Sequence, residues 1–146
     1  MSQWNIEEYK NEIDRVGIEE VWKKILKDSL LDIKEYGYFY EAGLAYTNKI
    51  SKKEQGKYYT PEDVAKLLAI FLNDLEGENI CDVCCGTGNL IRTYLGEIGY
   101  QKAKEIITDG RIYLYDPDDL ALKIAKGSLA KIYGEEIVKK HSLYLR

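Results

Sequence analysis

A short apolar run, ICDVC at residues 80–84, stops at two closely spaced glycines, Gly86 and Gly88. Helical spacing begins at once, with Leu90, Ile91 and Leu95 on one side. This is the grammar of a buried strand, a tight backbone turn and a helix. It recurs downstream. GRIYLYD (110–116) reads as a second strand ending at Asp116, and DDLALKIAKGSLAKIYG follows as a helix with Leu120, Ala121, Ile124, Ala125 and Leu129 inward. A helix is also expected before the first strand. TPEDVAKLLAIFL opens with Thr60 as N-cap, Pro61 at the first helical position and Glu62 and Asp63 in the first turn. Its core-facing side is expected to carry Val64, Leu67, Leu68, Phe71, Leu72 and Leu75. The order helix–strand–helix–strand–helix predicts a parallel sheet flanked by helices, with ligands at the carboxyl ends of the strands.

The first third of the chain has no strand pattern. Ile18, Val21, Trp22, Ile25, Leu26 and Ile33 predict an amphipathic helix over 18–33, and Trp4, Ile6, Tyr9 and Ile13 a shorter one before it. The aromatic stretch 36–46 reads as a helix or a packed connection. NKISKKEQGK, with Lys49, Lys52, Lys53 and Lys57, reads as a solvated loop. We therefore expect a helical N-terminal extension over 1–50 and an α/β part over 51–146.

Composition narrows the function. The 146 residues carry a net charge of −4, so the chain as a whole has no pull toward nucleic acid, and DNA contact would need a local basic patch or a partner. MSQWNIEEYK has neither a basic start nor an apolar run, and no stretch is long enough to span a membrane, so a reducing, cytoplasmic setting is expected. The three cysteines, Cys81, Cys84 and Cys85, sit together, which does not suit a disulfide framework. Zinc would need further ligands, and the single histidine, His141, lies far off in sequence. A redox C-x-x-C pair usually opens a helix, whereas these residues precede a glycine turn. They read as small buried residues at the end of a central strand.

The glycine turn itself suits a ligand that must approach backbone. A dinucleotide fingerprint would be G-x-G-x-x-G, but Ile91 stands at the third glycine position, which weakens a NAD reading. Asp116, at the end of the second strand, stands where a carboxylate can accept both hydroxyls of a ribose. It could equally be a loop acid or a helix cap, but Asp118 can do the capping, which leaves Asp116 free.

DVCCGTGNL resembles the S-adenosylmethionine motif of N6-adenine DNA methyltransferases, usually D-P-x-C-G-[ST]-G. QGKYYTP looks like the G-x-[YF]-[YF]-T-P segment that precedes it in that family, and YDPDDLALKIA is similar to its second-strand segment. The three occur in the family's order over about residues 50–133, and the likeness is nearest to the modification subunits of type I restriction–modification systems. The resemblance implies an incomplete Rossmann-like sheet that binds S-adenosylmethionine. Asp82 would orient the glycine loop or meet the methionine amino group, and Gly86 and Gly88 would border methionine and ribose. Asp116 would hold the ribose hydroxyls and Pro117 would stack on adenine. Thr60, with Tyr58 and Tyr59, would approach the methionine carboxylate, and Cys84 and Asn89 complete the implied set. Val83 replaces the usual proline and Cys84 a small residue; neither blocks a backbone-lined pocket.

The family's [DNS]-P-P-[YFW] motif, which holds the flipped target adenine, does not occur: the only prolines are Pro61 and Pro117. No catalytic residue is therefore assigned. The resemblance implies the cofactor-binding portion of such an enzyme, inactive alone, acting on DNA only within a complete enzyme or with other restriction–modification subunits. A non-catalytic binding or assembly protein and one half of a split methyltransferase remain the alternatives.

Overall fold

A computed structural model describes residues 3–48, 60–73, 77, 79–141 and 143–145. The chain divides into two compact units, Met1–Tyr59 and Thr60–Arg146. No described helix is long and apolar enough to cross a membrane. The lysine-bearing loop and Tyr58 and Tyr59 lie outside the described residues.

In the first unit the elements are α1 (Ile6–Val16), α2 (Ile18–Asp28), a 3-10 turn (Ile33–Glu35) and α3 (Tyr36–Asn48). Asn5 starts α1 with a capping box: its Oδ1 accepts from Glu7 N and Glu8 N, and Glu8 Oε2 accepts from Asn5 N at 2.8 Å. Gly17, at φ 87°, turns the chain from α1 into α2. The helix expected over 18–33 ends earlier, at Asp28. Ser29 takes a left-handed conformation there (φ 54°), so Leu30 and Leu31 enter the core from a turn and Ile33 starts the 3-10 segment. The aromatic stretch is helical. Tyr9, Trp22, Tyr36, Phe39 and Tyr40 meet edge to face in a buried aromatic cluster. Trp22 Nε1 donates to Tyr9 Oη at 3.0 Å, and burial raises the Tyr9 phenol well above its ordinary pKa. Gly43 makes this packing possible, since a Cβ there would stand 2.3 Å from Tyr9 Oη.

The second unit runs α4 (Glu62–Asn73), β1 (Ile80–Asp82), α5 (Asn89–Ile98), α6 (Tyr100–Thr108), β2 (Ile112–Tyr115), α7 (Asp119–Tyr133), α8 (Glu135–His141) and β3 (Leu143–Leu145). The strands form one parallel sheet in the order β1-β2-β3, with Ile80 opposite Ile112 and Tyr113 opposite Leu143. The result is a mostly helical α/β unit around a small parallel sheet. Crossovers between parallel strands are right-handed, so a sheet that simply adds strands in chain order carries its helices on one face. The core agrees: Ile112 and Leu114 pack with Ile91 and Leu95 of α5, Ile106 and Ile107 of α6, and Leu122, Ala125 and Leu129 of α7.

Three expectations need correction. β1 has three residues rather than five, and among the described residues it stands at the end of the sheet rather than in its centre. Of the cysteines only Cys85 is buried, while Cys81 and Cys84 are exposed: Cys84 lies past the end of the strand at Asp82, and Cys81 is on the face of β1 turned away from the core. The largest change is in α4. Its buried residues are Ala65 and Ala69, whereas Val64, Leu67, Leu68, Phe71 and Leu72 are exposed, and Leu75 lies outside the described residues. Small side chains let the helix lie close along its neighbour α5. The bulky apolar stripe points elsewhere. In α7, Leu122, Ser128 and Tyr133 are buried beside Ala121, Ile124, Ala125 and Leu129, while Leu120 is only half-buried.

Candidate cofactor site

The carboxyl end of β1 runs through Val83, Cys84 and Cys85 into the glycine turn and then into α5. Both glycines have positive φ, 53° at Gly86 and 84° at Gly88, a region that side chains disfavour. They differ in surroundings. A Cβ on Gly86 would meet nothing within 4 Å, so its backbone faces open space. A Cβ on Gly88 would stand 3.0 Å from Ala125 Cβ, so this glycine lets α5 and α7 approach. At the third fingerprint position Ile91 is buried in the core, where it packs the helix on the sheet.

The second strand delivers its acid to the same place. Asp116 Oδ2 accepts from Gly86 N at 2.9 Å, and Oδ1 accepts from Asp118 N at 2.9 Å. Asp116 thus ties the glycine turn of the first strand to the helix start of the second. Asp118 caps α7, its Oδ1 accepting from Leu120 N at 2.9 Å and Ala121 N at 3.2 Å. The capping role does fall to Asp118, yet Asp116 is not free as expected. Each carboxylate oxygen carries two lone pairs, so each of its oxygens keeps one further acceptor site beyond these bonds. Cys85 N donates to Tyr115 O at 3.0 Å and closes the same turn onto β2.

Asp82 lies beside this pair, half-buried, with Oδ1 accepting from Cys84 N at 3.2 Å. Burial raises its pKa, the bond from Cys84 opposes that, and the charge of Asp116 adds to the rise. The same surroundings push the Cys85 thiol up to about 12, through burial first and then Asp82 and Asp116. That thiol stays protonated and is no nucleophile at neutral pH. Two carboxylates at the strand ends make a site that favours a cationic ligand.

Three helix N-termini border the turn. The helix expected to start at Pro61 under a Thr60 cap starts at Glu62, with Pro61 O accepting from Ala65 N at 2.9 Å. Thr60, two residues before α4, is half-buried, and its carbonyl accepts from Asn89 Nδ2 at 2.6 Å, which joins the segment before α4 to the start of α5. The first turn of α5 has Gly88 as N-cap and no side-chain cap bond. Pro117 is exposed between the two acids. Thr60, Asp82, Cys84, Gly86, Gly88, Asn89, Asp116 and Pro117 all belong to this end of the sheet or to the segments tied to it. Sequence reasoning missed Arg92 and Ser128. Arg92 Nη1 donates to Thr87 O and to Ser128 Oγ at 2.8 Å, and the Ser128 hydroxyl donates to Ala125 O at 2.7 Å. This chain of bonds fixes the back of the turn to α7. The signal available was an arginine four residues after Gly88, one helical turn along.

Comparison with known proteins places the chain. The N-6 DNA Methylase family matches residues 32–141, most of its length. The type II methyltransferase M.VspI of Vibrio sp. (strain 343) is 29% identical over 126 residues, which is 86% of this chain and 28% of that protein. The type I restriction enzyme MjaIX methylase subunit of Methanocaldococcus jannaschii is 31% identical over 94 residues, 64% of this chain and 16% of that protein. The chain thus spans well under a third of the length of either relative. No solved structure matches it. With three-quarters of the sequence under the family's pattern, the chain belongs to the N-6 DNA methylase family.

Proposed function

We propose that this chain is the methyl-donor-binding portion of a DNA adenine-N6 methyltransferase from a restriction–modification system, acting in the cytoplasm. Its sheet is the first part of a Rossmann-like methyltransferase sheet. The observation that carries this reading is the 2.9 Å bond from Gly86 N to Asp116 Oδ2, which brings the glycine turn and the second-strand acid together at the strand ends. S-adenosylmethionine fits these residues. The open space before Gly86 admits a ligand against backbone, and the spare lone pairs of Asp116 suit two ribose hydroxyls. Asp82 and Asp116 favour its positive charge, and the uncapped start of α5 and the Thr60 segment suit its carboxylate. Pro117 offers an exposed apolar surface to adenine, and Arg92 keeps the turn in shape through Thr87 O. When bound, the donor supplies an electrophilic methyl group.

The chain alone does not methylate DNA in this reading. It has no Pro-Pro-aromatic segment to hold an extruded adenine, and flipping a base costs a few kcal/mol that such a pocket must offset. A calorimetric titration tests the cofactor. Heat with S-adenosylmethionine or its demethylated product and none with NAD is expected, and the opposite pattern would refute the assignment. A tritiated methyl-transfer assay on mixed duplex DNA tests the chemistry. Incorporation by the purified chain, lost on Gly86→Trp, would show that the active site is complete within it.

A further inference from the structure

An arginine braces the glycine turn from behind. Gly86, Thr87 and Gly88 each bring one N–H and one C=O to that turn. Gly86 N donates to Asp116 Oδ2 at 2.9 Å, and Gly88 N to Cys85 O at 2.9 Å. Thr87 O accepts from Arg92 Nη1, which also donates to Ser128 Oγ at 2.8 Å. One N–H of the turn is left over. Thr87 is only 7% exposed, yet nothing among the described residues accepts from its N–H. In a residue this buried an unmet N–H is costly, and native structures rarely keep one unless a ligand or water takes the place of the acceptor.

The arginine's own surroundings fix its side of the turn. Ser128, its second partner, is fully buried in α7. A Cβ on Gly88 would stand 3.0 Å from Ala125 Cβ and 3.3 Å from Arg92 Nη1, so the guanidinium lies in the crowded contact of α5 with α7. The turn is open at Gly86 instead, where a Cβ would meet nothing within 4 Å. Arg92 also stands at the end of the first turn of α5, where a cation opposes the helix dipole. Its place there is stabilised by Thr87 O and Ser128 Oγ, and its charge favours an anion just outside the helix start. Without the brace, Thr87 O could swing its negative end into the ligand space. The amino-acid half of the methyl donor carries a carboxylate, which that carbonyl would repel; the nucleoside half has no negative group and is indifferent to it. We propose that Arg92 is a positioning residue for the amino-acid half of the methyl donor: by holding Thr87 O against α7 it leaves Thr87 N–H as the group that the ligand's carboxylate meets. This rests on the function proposed above.

The test compares two ligands with the same nucleoside and the same neutral sulfur. The demethylated product has the amino-acid part, and methylthioadenosine lacks it. Both are measured calorimetrically on the full chain, methylthioadenosine by displacement of the product so that weak binding is still read. Arg92→Ala should weaken the product about tenfold and methylthioadenosine by less than about twofold, since hydrogen bonds and charge at a carboxylate are at stake only in the first. Ser128→Ala removes the arginine's second anchor but suits a buried helix position, so it keeps the fold even where Arg92→Ala does not; it should show the same bias at about threefold. Arg92→Lys keeps the charge without the fork that spans Thr87 O and Ser128 Oγ and should fall between the two. Equal weakening of both ligands would make Arg92 a brace of the whole site and overturn the role, as would product affinity unchanged in both alanine variants. A wild-type chain that binds neither ligand refutes the donor-site reading and the role of Arg92 with it, whereas wild-type binding with unbiased variants refutes the role alone.

Discussion

Asp116→Ala should loosen the second unit before any ligand is added. Its carboxylate holds two backbone N–H groups at 2.9 Å each, those of Gly86 and Asp118. A hydrogen bond to a charged group contributes about 1.5–3 kcal/mol, and partial exposure lets water replace part of that, so the two together are worth about 2 kcal/mol here. For a unit of this size that is a drop of roughly 10 °C in Tm. Asp118→Ala removes the two bonds that cap α7 and should cost about 1 kcal/mol, half as much. Asp116→Asn keeps one acceptor oxygen and should fall between the two. Urea or thermal unfolding of the three variants gives the order, and calorimetry adds a second axis. Affinity for S-adenosylmethionine should fall by about tenfold or more at Asp116, from the lost charge-assisted bonds to ribose, and by little at Asp118. Unfolding of Asp116→Ala that matches wild type would show that the tie to Gly86 is not made in solution. Equal loss of affinity in both alanine variants would mean that the wrong acid has been assigned to the ribose.

The two glycines should separate stability from binding. Gly86→Ala meets only the cost of a left-handed side chain, about 1 kcal/mol, yet fills the space before the turn and should abolish donor binding; Gly88→Ala adds a clash with Ala125 and should unfold the unit more easily, by about 2–3 kcal/mol. A Gly88→Ala variant as stable as Gly86→Ala would contradict this division. Asp82 should set a pH dependence. Its raised pKa makes its ionised form costly in the folded state, so its contribution to stability is full below the ordinary carboxylate range and is lost as pH rises through the raised value. Asp82→Asn, which can still accept from Cys84 N, should therefore be more stable than wild type at neutral pH, with the gap closing in acid; a gap that widens in acid would reverse the sign. Thiol labelling at neutral pH should modify Cys81 and Cys84 quickly and Cys85 only after unfolding. Rapid modification of all three would place Cys85 outside the core.

The sequence by itself determined the elements and the family. The glycine turn after ICDVC, the acid after IYLY and the T-P-E-D helix start are local signals, because turn conformation, strand pleat and capping depend on neighbours within a few residues. The three family motifs lie in order along the chain, and the family match over 32–141 agrees with them. Periodicity also grouped Val64, Leu67, Leu68 and Phe71 on one face of α4. It could not say which way that face points, since spacing fixes which residues share a side but not whether anything lies opposite to bury them. Only the tertiary structure turned α4 onto Ala65 and Ala69, put β1 at the end of the sheet among the described residues and left Cys81 exposed. The site followed the same division. Gly86 and Asp116 were each legible alone, but they stand 30 residues apart, and their bond depends on parallel register between β1 and β2. Arg92, Ser128 and Thr87 were not legible, because a polar network earns its meaning from which helices cross, and that is settled by how close Gly88 lets α5 come to α7.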